Sequence, residues 1–377
     1  MTPVSTRRVP LLDLQPQHKQ IREEVLAEII RVVDSQKFIL GEDVQKLEGE
    51  IASYCGTTYA IGCASGSDAL ILALMALEVK PGDEVLTTPY TFFATAGAIS
   101  RVGAIPVFVD IDEATFNIDP GLIEKTLAAH PKIRAMIPVH LFGGCADMDP
   151  IMEIAGTRGI PVIEDAAQSI GSEYKGRRAG SIGQIGCFSF FPSKNLGGYG
   201  DGGIVTTNES GLAERLSALR VHGGKTKYYH EWIGINSRLD ALQAAVLRVK
   251  LRYLDNWSEG RAKNAAHYRN ELAKLGVDVT PLTPAEYQTR HIYNQFVIRS
   301  ANRNALQGHL AGQGIGSEVY YPIPLHLQPC YAFLGHKPGD FPVSEKLAEE
   351  SLALPVYADL SEDDIDYVCD SIRSYLA

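Results

Sequence analysis

From residue 58 to residue 210 the chain alternates short apolar runs with longer amphipathic ones, and that alternation restricts the fold more than any other feature. YAIGCAS leads into DALILALMALEV, DEVLTTP into TFFATAGAISRVG, and AMIPVHLFG into DPIMEIAGTRG, with IPVFVDI and PVIEDAAQ in the same series. Short runs rich in valine and isoleucine, each leaving into a helix-like segment, predict an α/β fold: a mostly parallel sheet with crossover helices. GCFSFF and GGIVTTN read as further strands. Open sheets of this kind bind ligands at the carboxyl ends of their strands, so polar residues just past those ends are the first functional candidates.

Residues 237–276 then read as one long helical stretch, and the texture changes after it. YNQFVIRS and SEVYYPI read as strands, NALQGHLAGQG as a helix, and SEDDIDYVCDSIRSYLA as a helix with Ser361 as N-cap and acids in its first turn. A chain of 377 residues exceeds the size at which one core stops growing. The expected division falls inside the long helix, near residue 255. It separates a large domain with N-terminal helices (1–255) from a smaller α+β domain (256–377).

The 35 basic residues against 45 acidic ones give a net charge of -10, which argues against nucleic acid or an anionic membrane as partner. An anionic substrate therefore needs a local basic site. Cys55, Cys63, Cys145, Cys187, Cys330 and Cys369 are scattered without CxxC pairs, which fits reduced thiols better than a disulfide frame or zinc site. The start, MTPVSTRRVPLLDLQ, has no apolar run suited to a signal peptide, and no segment approaches about 18 uninterrupted apolar residues. A cytoplasmic protein is the expectation.

Three separated pieces at expected strand ends carry chemistry. In ASGSDAL a strand exits into Gly66 and Ser67 and a helix begins at once; the helix N-terminus offers free N–H groups to a phosphate, although a serine there is ordinarily just a cap. In PVIEDAAQS, Asp165 follows a buried strand; such a carboxylate either pairs structurally or holds a protonated ring nitrogen, and Gln168 one turn on reaches the same ring system. In FSFFPSKNLGGYGDGG, Lys194 sits between an aromatic strand and a run of glycines, where desolvation lowers an amine's pKa and favours imine chemistry. Ser189 adds a second phosphate ligand; the plain alternative is a solvated lysine in a loose hairpin.

The ordered set ASGSDAL, TFFATA, EDAAQ, FSFFPSK, GDGG and NSRLDALQAA resembles the DegT/DnrJ/EryC1/StrS family, pyridoxal-phosphate-dependent nucleotide-sugar aminotransferases of the aspartate aminotransferase fold (fold type I). The likeness runs from LLDLQPQ to SLALPVYADLS. It implies pyridoxal 5'-phosphate as cofactor, held by Lys194 as a Schiff base, with Asp165 on the pyridinium nitrogen and Gln168 near the ring hydroxyl. It also implies Gly66, Ser67 and Ser189 on the phosphate, Phe92 of TFFATA stacked on the ring, and Asn236 reaching the phosphate of the neighbouring subunit in a homodimer with shared sites. Phe92 read by itself is as well explained by core packing. Members with histidine at the lysine position are sugar dehydratases; here the residue is Lys194.

SEVYYPIPLHLQPCY resembles the family's substrate-side loop, which makes Tyr320, Tyr321 and His326 the expected contacts to the sugar nucleotide, with Arg238 supplying positive charge. The implied reaction is ping-pong: L-glutamate gives its nitrogen to the cofactor, which passes it to a nucleotide-linked keto-sugar, while the Lys194 amine moves the proton. YYPIPLH and NSRLDALQAA look closest to members that aminate C3 of UDP- or dTDP-linked 3-keto sugars, in amino-sugar and surface-polysaccharide biosynthesis. A C4-directed enzyme, a cysteine desulfurase using Cys330, and a non-catalytic cofactor-binding regulator stay open as alternatives.

Overall fold

The structure, a computed structural model, describes residues 7–274 and 279–376. Its centre is a mixed sheet whose strands are β1 (Tyr59–Cys63), β2 (Glu84–Thr87), β3 (Ile105–Phe108), β4 (Ile133–Met136), β5 (Ile163–Asp165), β6 (Ile185–Ser189) and β7 (Gly203–Thr207). β3, β2 and β4 run parallel, as do β5 and β6. Isolated parallel bridges, Met136 to Val162 and Val139 to Asp165, join β4 to β5. β7 lies antiparallel between β6 and β1. The order is therefore β3-β2-β4-β5-β6-β7-β1, and the seven strands expected between residues 58 and 210 are all present.

Burial on both faces explains the continuous apolar runs: β6 and β7 are almost wholly buried, between a core containing Leu47, Ile51, Met136 and Phe188 and another containing Leu70, Ile137, Val205 and Leu216. The helix Gly66–Ala76 is apolar around much of its circumference because it packs on β6, β7 and the neighbouring helices Ala94–Arg101 and Ser210–Leu219.

The long helix expected over residues 237–276 is two helices, Ala241–Leu251 and Leu254–Ala273. The first packs on Gln15–Ser35 and Glu42–Cys55, the second on the terminal helix Glu362–Leu376. One straight rod cannot serve both surfaces, and the chain bends at residues 252 and 253; Gly276 lies outside the described residues. SEVYYPI is not a strand. It makes one bridge, Glu318 to Ala353, because Pro322 and Pro324 lack amide donors and Tyr321 has φ 58°. YNQFVIRS contributes the strand Phe296–Arg299, paired between Thr280–Pro281 and Ser351–Leu354. NALQGHLAGQG forms the helix Arg303–Gly312, with Gln313 and Gly314 just past its end. Ser361 accepts the Asp364 N–H at 3.1 Å and so caps the last helix.

The first described residues pack with the C-terminal elements: Val9 pairs with Ile315, and Leu11 O accepts the Val356 N–H. Arg261 pins the same region from inside. It is 2% exposed and donates to the carbonyls of Tyr293 (3.1 Å), Asn294 (3.4 Å) and Val356 (2.9 Å). Burial lowers its pKa to about 10, still well above neutrality. Arg261→Met strands those carbonyls and is expected to cost about 2–4 kcal/mol, read from urea unfolding of the purified variant.

Candidate active site

β1 ends at Cys63, and the chain turns at Ser65, whose hydroxyl accepts the Asp68 N–H at 3.1 Å. Ser65 is thus the cap of the helix Gly66–Ala76, which leaves the amides of Gly66 and Ser67 at a positive helix end. Ser189, at the end of β6, faces this turn. A methyl added at Gly66 would lie 2.6 Å from Ser189 Cβ, so glycine is what lets the two meet. The Ser237 hydroxyl accepts the Ala64 N–H at 3.1 Å and ties the NSRL segment to the same place. Asn236 and Ser67 line one groove of about 670 Å³ with Asp68, Ile71 and Arg101.

Asp165, the last residue of β5, is 5% exposed. Its carboxylate accepts the Thr95 hydroxyl at 2.8 Å and the Ala167 N–H at 3.2 Å, and no cation is bonded to it among the described residues. Burial raises its pKa, against the pull of those two hydrogen bonds and of Lys194. Lys194 stands in the turn after β6, where its amide donates to Phe191 O at 2.9 Å. Gly197 closes that turn so tightly that a Cβ there would sit 2.3 Å from Pro192 O. Desolvation pulls the Lys194 amine down to about 8, while Asp165 pulls the other way.

Gln168 uses both ends of its amide: Oε1 accepts the Phe142 N–H and Nε2 donates to the Tyr321 hydroxyl, each at 2.7 Å. Tyr321 stacks on Phe142 (6.1 Å, 13°) and meets Tyr90 edge-on (5.6 Å), and Tyr320 lies 6.0 Å from it. Phe92, just before the helix that carries Thr95, is 61% exposed despite the apolar run around it.

The structure therefore brings Gly66, Ser67, Ser189 and Asn236 to one corner, Asp165 and Lys194 to a second, and Gln168 with Tyr321 to a third. Arg238 is half-buried beside Ser237. His326 is not brought to this cluster as expected for a sugar contact. Its ring is buried, bonded through Nε2 to Glu345 at 3.0 Å and packed 4.7 Å from Phe341, because the short helical turn at 325–327 points it into an aromatic core. Sequence reading missed Thr95 and Phe142. Thr95 stands in the quoted TFFATA, but a threonine in an apolar helix gives no sign that it faces a carboxylate; Phe142 acts through its main chain, which carries no side-chain signal. A different groove of about 690 Å³, around Lys80, His130, Arg134 and Arg158, lies at the amino ends of the strands, away from these residues.

Residues 19–373 match the DegT/DnrJ/EryC1/StrS aminotransferase family. The chain belongs to this family. It is 50% identical over 368 residues to a pleiotropic regulatory protein of Geobacillus stearothermophilus, with 97% of this chain and 98% of that one covered. It is 44% identical to the UDP-N-acetyl-3-dehydro-alpha-D-glucosamine 3-aminotransferase of Acidithiobacillus ferrooxidans, with 98% of each covered. The crystal structure of DesV from S. venezuelae superposes with a TM-score of 0.95 at 43% identity, covering 98% of this chain and 99% of that one. The fold is the aspartate aminotransferase-like, fold type I architecture, and the protein is an aminotransferase.

An amine titrating near 8 is about one-tenth uncharged at pH 7 and about nine-tenths uncharged at pH 9. Only the uncharged form attacks a carbonyl. The rate at which cofactor-free protein captures pyridoxal phosphate is therefore expected to rise about tenfold from pH 7 to pH 9, followed by absorbance in a stopped-flow mixer. Lys194→Ala is expected to abolish the rise.

Proposed function

We propose that this protein transfers the amino group of L-glutamate to C3 of a UDP- or dTDP-linked 3-keto sugar, as a cytoplasmic homodimer with shared active sites. The cofactor is pyridoxal 5'-phosphate. The observation that carries the reading is a buried carboxylate, Asp165, with no cation bonded to it, beside a desolvated amine, Lys194. Such a carboxylate suits a protonated pyridine nitrogen, and the Gly66–Ser67–Ser189 corner suits a phosphate, so the residues present fit this group. When bound, it supplies a conjugated ring that accepts the electrons left on the substrate carbon.

The chain's own residues do the rest. Asp165 holds the proton on the ring nitrogen in a place where water does not compete. The Gly66 and Ser67 amides and the Ser189 hydroxyl anchor the phosphate, and Phe92 covers one ring face. Gln168, oriented by Phe142 and Tyr321, addresses the ring hydroxyl. Lys194 Nζ, poised near neutral pH, would take the proton from the amino-bearing carbon of the donor and deliver it to the cofactor carbon that keeps the nitrogen. Tyr320, Tyr321 and Arg238 are the substrate-side groups in this reading, and the division into two domains near residue 255 puts the tyrosines on the smaller one.

The homodimer is supported by apolar side chains left in solvent in the segment that leads to Asn236: Ile233 is 93% exposed and Tyr228 86%. Residence in the cytoplasm is supported by six unpaired cysteines, of which five are buried. No helix among the described residues is long and apolar enough to cross a membrane. C3 amination is supported by the 44% identical 3-aminotransferase.

A second reading has one observation in its favour, the 50% identical relative described as a regulatory protein. A regulator binds the cofactor and stops there. Adding L-glutamate to the protein loaded with pyridoxal phosphate separates the two: the proposal expects the lysine-bound absorption band to give way to that of pyridoxamine phosphate. A persistent band would sink it. With amino-loaded protein, UDP- or dTDP-3-keto sugars generated in situ are expected to restore the band, and their 4-keto isomers to leave it unchanged. Cys330 is exposed and stands beside Tyr331 in a groove reaching Phe93, so Cys330→Ser is the check on desulfurase chemistry; turnover of glutamate is expected to persist.

A further inference from the structure

Directly before Asp165 stands a second carboxylate, Glu164, which is fully buried and faces the other side of the sheet. It receives one donor for each of its lone pairs. Oε2 accepts His140 Nε2–H and the Gly180 N–H, both at 2.8 Å, and Oε1 accepts the amides of Ile182 and Gly183, both at 2.7 Å. His140 is itself fully buried, and its Nδ1 accepts the Ala146 N–H at 3.0 Å. That bond fixes the tautomer: the ring proton is on Nε2, aimed at Glu164. Burial works against ionisation of Glu164, but the donors around it outweigh burial and hold its pKa below the usual value.

Each segment tied to Glu164 carries a piece of the site. His140 grips β5 twice, by its ring to Glu164 and by its amide to Asp165 O at 3.0 Å. Two residues on, Phe142 N–H orients Gln168. The turn at 180–183, bound through three amides, feeds β6, which ends at Ser189 and leads to Lys194. β5 itself ends on Asp165.

We propose that His140 and Glu164 are positioning residues: a buried clamp that sets Asp165, Gln168 and the Ser189–Lys194 strand relative to one another, and thereby the protonation of the cofactor ring. The proposal rests on the reading that Asp165 holds the ring nitrogen. Strands that pair by so few ladder bonds (β5 spans Ile163–Asp165) have little else to fix their rotation, and a misplaced carboxylate at the ring nitrogen changes proton affinity there before it changes stability.

The test uses the full chain with Glu164→Gln, His140→Ala and His140→Gln, with Asp165→Asn as control. Glu164→Gln turns an amide toward the donors on Oε2; His140→Gln keeps an N–H near the position of Nε2, and His140→Ala removes it. Three quantities are measured: the dissociation constant for pyridoxal phosphate, the pH midpoint at which the bound cofactor's absorption titrates, and the unfolding midpoint without cofactor. Glu164→Gln and His140→Ala are expected to weaken cofactor binding on the order of tenfold and to move the pH midpoint, with His140→Gln restoring both toward wild type. A merely structural clamp lowers the unfolding midpoint and leaves the titration of bound cofactor where it was, which overturns the proposal. Should Glu164→Gln not fold, the two His140 variants decide. If Asp165→Asn also leaves the titration unchanged, the placement of the ring at Asp165 fails along with the clamp; if only Asp165→Asn moves it, the clamp alone fails.

Discussion

A carboxylate buried without a cation is costly, and the architecture of this protein is organised around keeping one at Asp165. Only a sheet whose central strands run parallel puts several strand ends, each followed by a polar residue, at one edge. Asp165, Ser189 and the turn at Ser65 share that edge because β5 and β6 run parallel and β1 joins them through the antiparallel β7. Thr95 and Ala167 relieve part of the burial cost. Lys194 adds a smaller relief by charge; loss of water lowers its own affinity for a proton, and the Asp165 charge restores part of it. Burial disfavours the charge on each group, and each charge offsets part of that cost for the other.

The smaller C-terminal elements are not a separate lid. Tyr90, Phe116, Phe142 and Val139, from the connections of the large sheet, pack in one cluster with Leu282, Val297, Leu347 and Ala353, and the Tyr90 hydroxyl bonds Ser351 at 2.8 Å. Tyr321 enters this cluster from the C-terminal half and ends on Gln168, so the cluster is continuous with the residues proposed to bind the ring. Phe142 and Tyr321 both adopt left-handed backbone conformations, φ 57° and 58°, uncommon for aromatic residues and held here by the stacking between them.

The sheet was legible in the sequence because buried parallel strands must be apolar throughout, and the helices between them carry a different period. Gly66, Asp165 and Lys194 were legible because they interrupt that pattern at strand ends. Thr95 was not, since its hydroxyl differs from a core-facing threonine only in what lies across from it, seventy residues away in sequence. The break at 252–253 was hidden because both halves have helical periodicity, and the bend arises from the two surfaces they must cover. SEVYYPI alternates like a strand, yet Pro322 and the left-handed turn at Tyr321 end the pairing, and the Tyr321 hydroxyl meets Gln168 instead. His326 gives no sign in its motif that its ring packs in a core beside Glu345 and Phe341.

What the sequence determined by itself was the kind of chemistry: a lysine, a carboxylate and a helix N-terminus at the ends of buried strands, in an order shared with a family of aminotransferases. That information is local, carried by periodicity and by residues that break it. The tertiary structure decided which carboxylate has two donors and which has four. Asp165 and Glu164 are neighbours with the same functional group, and nothing in the letters separates them. The pleat sends Glu164 to a closed set of four donors and Asp165 to the other side, where two donors and the Lys194 charge face it, and that difference underlies the separate roles proposed for them.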